Sequence, residues 1–585
     1  MAYSSLLLVI SLAIFLCYVS YERLFKKVKI PNGAKSLPGP KGYPIIGSVP
    51  DLDPKNPWMK MVHWSKKYGT IFQVNLNGKN TVWITSHKIC EDLFVKRGAI
   101  YSDRPFLPGI GEDCRFTNRY IPLVTYGDDM KRIKNWMKNT MSSMPPDRLK
   151  GLSQKGAATF VTRLIAEPHL FKQFCEECTS QISAEMAWND PRLSTAKETI
   201  MRANQLLRRI SADGDIQNKL PFLRRIPNWV PDFLQPWKIQ ERVRFLRERN
   251  FWFGQKEAVR KSLESEKTAS SWMQKHLSMP TTPELDEDNT YSVGMLALIG
   301  SILTSSPIQS FFHAMIVSPE WQRKGQEEVD RVCGERPPCY EDIQNMPVVR
   351  AIIREIFRWR SPAPAGVPHI LKQDDIYEGY HIPKGTTCFA LEWGLCRDAT
   401  LYPDPENFRP ERWLSPSFPT YREPLTHFPS IKAQHGFGWG RRACIGQDYV
   451  EMVLFTVIAT ILWSVEVRKK RDERGQEIEV PWYDYTAYVI VRPEWFAFDV
   501  VERGWSRGAA SRAGLLRGGR IWIWLVGRMG LLMGKRLGMK RGRFRNRGWV
   551  YMPGIYAGKR INFDPFHFFV LVGSCSAYCY AAIGA

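Results

Sequence analysis

The stretch Phe437-Gly438-Trp439-Gly440-Arg441-Arg442-Ala443-Cys444-Ile445-Gly446 decides the reading of this chain. It sets one cysteine among glycines and arginines, just ahead of an apolar run. Glycines at 438, 440 and 446 let the backbone turn tightly and come close to a flat ligand. The run that follows, Tyr449 to Ile458, predicts a buried helix. Cys444 then sits just before a helix N-terminus, where free N–H groups and the helix dipole favour a thiolate over a thiol. A thiolate so placed is a ligand for iron. Arg442 is a partner for a carboxylate on whatever carries that iron, since guanidinium matches carboxylate geometry. The competing reading is a buried cysteine in a Gly-rich turn, the commoner fate of a free cysteine.

The decapeptide resembles the haem-binding signature of the cytochrome P450 family, F-x-x-G-x-R-x-C-x-G, matched at Phe437, Gly440, Arg442, Cys444 and Gly446. The resemblance implies that Cys444 is the axial ligand of haem iron, a thiolate that favours O–O cleavage. It also implies that Phe437 shields the sulfur and Arg442 holds a propionate. The fold it implies is mainly α with a smaller β-rich subdomain, behind an N-terminal transmembrane anchor.

Two further segments agree. Val349, Ile352, Ile353 and Ile356 recur at i, i+3, i+4, i+7 and predict an amphipathic helix. On it Glu355 and Arg358 are three apart, hence neighbours on one face. Arg412 lies in Phe408-Arg409-Pro410-Glu411-Arg412-Trp413. These resemble the family's E-x-x-R helix and P-E-R-W loop, which implies a buried structural network of Glu355, Arg358 and Arg412. Between them, Ser361 to Ile370 is proline-rich and takes an extended path. By resemblance it enters the sheet beside the haem, so that Ala363, Ala365 and Val367 line the substrate pocket and His369 contacts a propionate.

Two departures stand out. The helix over the distal face of the haem carries A-G-x-D-T in most members, and here reads Ile299-Gly300-Ser301-Ile302-Leu303, followed by Thr304. Ile and Leu cannot donate or relay protons. Thr304 is rotated by about 100° from the alcohol position, and Pro307 can distort the helix. Three readings stay open. Thr304, water or the substrate supplies protons; the enzyme catalyses an oxygen-independent isomerisation or dehydration; or the site is poorly coupled. Thr304 is the candidate catalytic residue. The second departure replaces the ends of W-x-x-x-R by Met130 and Lys134; Lys134 keeps the charge toward a propionate but loses the planar fork.

Residues 1–29 read as a membrane anchor with a basic flank. Ser4 to Tyr21 is apolar and uncharged, about the length of a membrane span. Arg23, Lys26, Lys27 and Lys29 hold the following domain in the cytosol. Residues 30–502 read as the catalytic domain, and 503–585 as an Arg/Gly/Trp-rich extension of unknown role. Nucleic acid is not the expected partner of the +24 net charge: after Glu502 there are fifteen Lys and Arg against one acid, Asp564, so more than half the excess lies in the extension. Leu220 to Val230 suits the membrane interface, and 282–289 reads as an acidic surface linker. Cys175 and Cys178 form a lone C-x-x-C, too little for zinc.

The resulting expectation is a single-pass endoplasmic-reticulum haem-thiolate monooxygenase with haem b. It draws electrons from NADPH through a separate NADPH–cytochrome P450 reductase, and inserts one oxygen atom into an apolar small molecule. Similarity around Arg358–Pro362 and Pro410–Trp413 to filamentous-fungal members suggests secondary-metabolite biosynthesis. An isomerase or dehydratase of the same fold, and a non-catalytic haem-binding relative, are the alternatives.

Overall fold

A 35-residue helix, Pro283–Val317, runs through the protein. The computed structural model describes residues 30–504 except 45, 106–109, 111–119, 212–222, 224–225, 227–228 and 265–269, together with positions 11, 12 and 15. Most of the expected anchor helix and of the 220–230 loop, and the extension from 505 onward, lie outside the described residues.

The long helix begins at Thr282, whose Oγ1 accepts the Leu285 N–H at 3.4 Å. Pro283 opens the first turn, and Glu284 and Asp286 lie within it. The acidic stretch 282–289 is therefore a helix start and not the expected linker. Its N-cap Thr, first-turn Pro and acids are the residues a helix N-terminus favours. The helix is long and apolar enough to cross a membrane, but 83% of its most apolar window is buried. It is a core helix, packed on Phe171–Trp188, Leu193–Ile210 and Gln447–Ser464. Pro307 lies inside it and removes the N–H that would bond the Leu303 carbonyl.

The helix predicted around Ile352 spans Pro347–Trp359. Val349, Ile352, Ile353 and Ile356 are all buried in the main apolar core. Strands are few. The largest sheet has the order β1-β2-β6-β3, formed by β1 (Ile71–Leu76), β2 (Lys79–Ile84), β3 (His369–Ile370) and β6 (Thr387–Ala390). Parallel pairing of β2 with β6 sets Thr81 against Thr387, and antiparallel β3 sets His369 against Cys388. This register brings His369 beside the segment before residue 104, because Ile370 donates its N–H to the Asp103 carbonyl. Two antiparallel pairs are the other sheets among the described residues: the hairpin of β4 (Asp375–Tyr377) with β5 (Tyr380–Ile382), and β7 (Val465–Lys469) with the distant β8 (Phe498–Glu502). Arg503 still belongs to this body, holding Asp330 at 2.8 Å. The described residues are thus mostly helical with small sheets.

Candidate active site

Cys444 is the one exposed cysteine among the described residues; every other free cysteine is buried or half-buried. Its loop is held open by short backbone bonds. The Cys444 N–H donates to the Phe437 carbonyl at 2.8 Å, and the Gly446 N–H donates to Sγ at 3.3 Å. Three residues on, Gln447–Ser464 begins, with Gly446 as its N-cap. Gly440 has φ +50°, and an added Cβ would meet the Phe94 carbonyl oxygen at 2.4 Å, so the turn requires glycine there. Phe437 packs against Phe357, ring centroids 5.2 Å apart. Surrounding protein desolvates the sulfur and raises the thiol pKa, with the Gly446 N–H and nearby Lys134 pulling the other way.

Lys134 does not reach out as a free charge. Its ammonium donates to the carbonyls of Arg441, 2.7 Å, and Ala443, 3.2 Å, and so clasps the cysteine loop. Desolvation and then Arg442 lower its pKa. Arg442 donates to the carbonyls of Ser102, 2.7 Å, and Val124, 2.5 Å. Beside it lies Arg104, which sequence reasoning missed. Arg104 is buried and donates to the carbonyls of Pro122, Val367 and Pro368. Burial, and then the charge of Arg442, push its pKa down to about 9. His369 is buried next to both. Its Nδ1 lies 2.6 Å from the Tyr101 carbonyl, and desolvation with Arg104 drives its pKa well below the usual value, so it is neutral. Among the described residues, no carboxylate forms an ion pair with Arg104, Arg442 or Lys134. Nothing in the spacing of Ser102-Asp103-Arg104-Pro105 marks Arg104, because its burial comes from segments distant in sequence.

Glu355, Arg358 and Arg412 are wholly buried and fully paired. Arg358 grips Glu355 through two N–H groups, at 2.9 and 2.7 Å. Arg412 Nε donates to Glu355 Oε1 at 3.2 Å, and Trp413 Nε1 to Oε2 at 3.0 Å. Further guanidinium N–H groups donate to the carbonyls of Cys396, Pro405 and Asn407 from Arg358, and of Pro403 and Asp404 from Arg412. No donor or acceptor is orphaned, as a buried network requires.

On the long helix, Ile299, Gly300 and Leu303 are half-buried, while Ile302 and Thr304 are fully buried. Ile299 and Leu303 stack on one face with Gly300 at its edge, and Thr304, one turn beyond Gly300, is closed off by burial. Its Oγ1 has no hydrogen-bond partner among the described residues. Ala363 packs on the same apolar cluster as Ile299 and Leu303. Ala365 packs instead on the cluster of Trp58 and Trp393, and Val367 offers its carbonyl to Arg104.

The donor set suits haem. An accessible sulfur stands close to buried and half-buried cations whose side chains form no ion pair among the described residues, Asp103 acting on the two arginines only from a distance, which suits a flat, iron-bearing group with acidic side arms.

A family profile described as Cytochrome P450 matches residues 37–482. The chain is 32% identical over 458 residues to cytochrome P450 monooxygenase psoD of Aspergillus fumigatus, covering 75% of this chain and 86% of that one. It is 31% identical over 499 residues to cytochrome P450 monooxygenase ple1 of Rhodocybe pseudopiperita, covering 82% and 91%. Cytochrome P450 monooxygenase virE of Hypocrea virens is similar at 28% over 516 residues, 85% and 92%.

Proposed function

Since the chain belongs to the cytochrome P450 family and is a monooxygenase, we propose that it inserts one atom of dioxygen into an apolar small molecule of fungal secondary metabolism. The family implies a haem-thiolate cofactor and a redox partner. The observation that carries the assignment of residues is the exposed Cys444 beside cations whose side chains form no ion pair among the described residues.

In this reading Cys444 Sγ ligates the iron of haem b, and Arg442, Arg104 and Lys134 supply positive charge at the propionates. Neutral His369 donates or accepts at its remaining nitrogen. Phe437 covers the sulfur, and Gly440 and Gly446 let the loop come close. Haem bound through a thiolate supplies dioxygen binding and O–O cleavage. Glu355, Arg358 and Arg412 fix the scaffold behind the loop. Ile299, Leu303 and Ala363 present apolar surface, which favours an uncharged substrate; Ala365 and Val367 border it. Thr304 holds a proton or a water at Oγ1, a role supported by that atom's lack of a protein partner and opposed by its burial beside Leu303.

Electrons come from NADPH through a separate reductase. Residues 1–29 anchor the protein in the endoplasmic-reticulum membrane with residues 30–502 in the cytosol, and 503–585 are an extension without assigned role. Exposed Trp229, Phe233 and Leu234 support membrane contact near the 220–230 loop.

The oxygen-independent isomerase or dehydratase remains the second reading, because the half-buried face of the long helix carries no acid or alcohol. Microsomes holding the chain and a fungal reductase, fed an extract of fungal apolar metabolites under oxygen-18 gas, separate the two. A product that needs NADPH and gains one heavy oxygen supports the monooxygenase. A product formed without NADPH or dioxygen supports the isomerase.

A further inference from the structure

A second metal-ligand cluster, which does not include Cys444, lies on the turn that leads into the cysteine loop. The donor atoms of Glu392, Cys396 and His435 all lie within 4.8 Å of one another. Glu392 and Cys396 are four apart across one short helical turn, Glu392–Leu395 and its C-cap, so their side chains share a face. His435 opens the 3-10 turn His435–Phe437.

The site is enclosed. Cys396 is wholly buried and Glu392 is 4% exposed, and the His435 side chain is 9% exposed. A buried carboxylate demands a positive partner. Among the described residues no Lys or Arg pairs with Glu392; its contacts are His435 and the Cys396 thiol. His435 Nδ1 stands 2.7 Å from Glu392 Oε1, yet it lacks the directional geometry of a hydrogen bond and is left a buried atom without a partner. Cys396 Sγ is 3.4 Å from the same oxygen. The other ring nitrogen of His435 is 3.3 Å from the Tyr402 hydroxyl. With Nε2–H donated there, Nδ1 presents its lone pair to the cluster, the outer-shell arrangement that metal-bound histidines use.

We propose that Glu392, Cys396 and His435 bind one zinc ion that pins the entrance of the cysteine loop to the Glu392–Leu395 turn. One sulfur, one imidazole nitrogen and one carboxylate oxygen are the donors zinc accepts, with the fourth position left to water. Ordinary zinc bond lengths in a tetrahedron separate sulfur from oxygen by about 3.5 Å and nitrogen from oxygen by about 3.3 Å. The sulfur–oxygen pair already fits. The nitrogen–oxygen pair opens by about half an ångström when the ion enters. Charge balances: zinc enters as a dication, Cys396 loses its thiol proton to water, and the carboxylate and thiolate neutralise the ion. The consequence reaches the candidate active site through Phe437, the last residue of the 3-10 turn, whose carbonyl accepts the Cys444 N–H.

The test is elemental analysis of the full-length protein, purified from zinc-containing medium and dialysed without strong chelator, with chain concentration from amino-acid analysis. The expected result is about one zinc per chain, falling at least tenfold in the Glu392→Gln/Cys396→Ser double variant while far-UV circular dichroism is unchanged. X-ray absorption at the zinc edge of the unaltered protein covers the case in which the variant misfolds. It should report one sulfur at about 2.3 Å and nitrogen or oxygen at about 2.0 Å. Less than a tenth of an equivalent of zinc in the unaltered protein, zinc retained in the double variant, or a zinc shell without sulfur overturns the proposal and leaves an ordinary buried histidine–carboxylate pair.

Discussion

Two groups of buried or half-buried cations in this protein differ in one respect. Arg358 and Arg412 close on Glu355, and their terminal nitrogens also donate to backbone carbonyls. The side chains of Arg104, Arg442 and Lys134 find carbonyls too, but form no ion pair with a carboxylate among the described residues. The first group is complete within the protein and reads as structure. In the second, burial lowers all three pKa values and the Arg442 charge adds to this on Arg104 and Lys134, while Asp103 acts the other way on both arginines without pairing with their side chains; the proposed haem propionates would supply the paired anions. Residue type alone does not separate scaffold from ligand site; the charge accounting does.

Removing the acid from the closed group should have the largest effect. Glu355→Ala orphans two buried guanidiniums and should cost about 3–5 kcal/mol, read as a lower denaturation midpoint together with loss of haem incorporation. A variant as stable as the parent would show that the closed group is not the scaffold.

This contrast was only partly legible in the sequence. Glu355 and Arg358 follow from helical spacing and a recognisable motif, and Cys444 from a decapeptide with five matched positions. Arg104 was not legible, since its burial depends on carbonyls of Pro122, Val367 and Pro368 that only the folded chain brings together. The bonds of the Lys134 ammonium to the loop carbonyls of Arg441 and Ala443 are not legible either, because side-chain reach is not encoded in spacing. At Thr282 the capping signal was present, but the acidic residues after it were read as solvent-exposed linker. Thr304 can be placed on the helix from sequence, but its full burial cannot.

Next in size is the loop between the two groups. Gly440→Ala meets both a positive φ and the Phe94 carbonyl, whereas an added Cβ at Gly446 has nothing nearer than 3.8 Å. Gly440→Ala should therefore destabilise the protein by about 1–3 kcal/mol, and Gly446→Ala by much less, in parallel denaturant titrations. Equal effects would remove the close approach as the reason for glycine at 440.

A buried base with no acid beside it extends the comparison to pH. Desolvation, and then Arg360, lower the pKa of His313 from 6.5 to about 3. The folded protein keeps it neutral while the unfolded chain protonates near 6.5. Its stability contribution is therefore complete above pH 6.5 and is lost as pH falls toward 3, by about 1.4 kcal/mol per pH unit. His313→Phe should flatten the stability profile between pH 6 and 4; an unchanged slope would place the proton elsewhere.

The smallest effect sharpens the open group. Arg104→Gln should leave the haem-free protein within about 1 kcal/mol of the parent, because it relieves repulsion while losing carbonyl bonds. It should speed haem transfer to an apo-globin acceptor by about tenfold. A large loss of haem-free stability with normal haem retention would turn Arg104 into scaffold.

The most direct test of the account is the reduced carbon-monoxide difference spectrum of the full chain in microsomes, beside Cys444→Ala. A strongly red-shifted Soret band is expected in the unaltered protein, and its loss in the variant. An unshifted band in the unaltered protein, or a shifted band that survives in Cys444→Ala, would contradict Cys444 as the thiolate ligand.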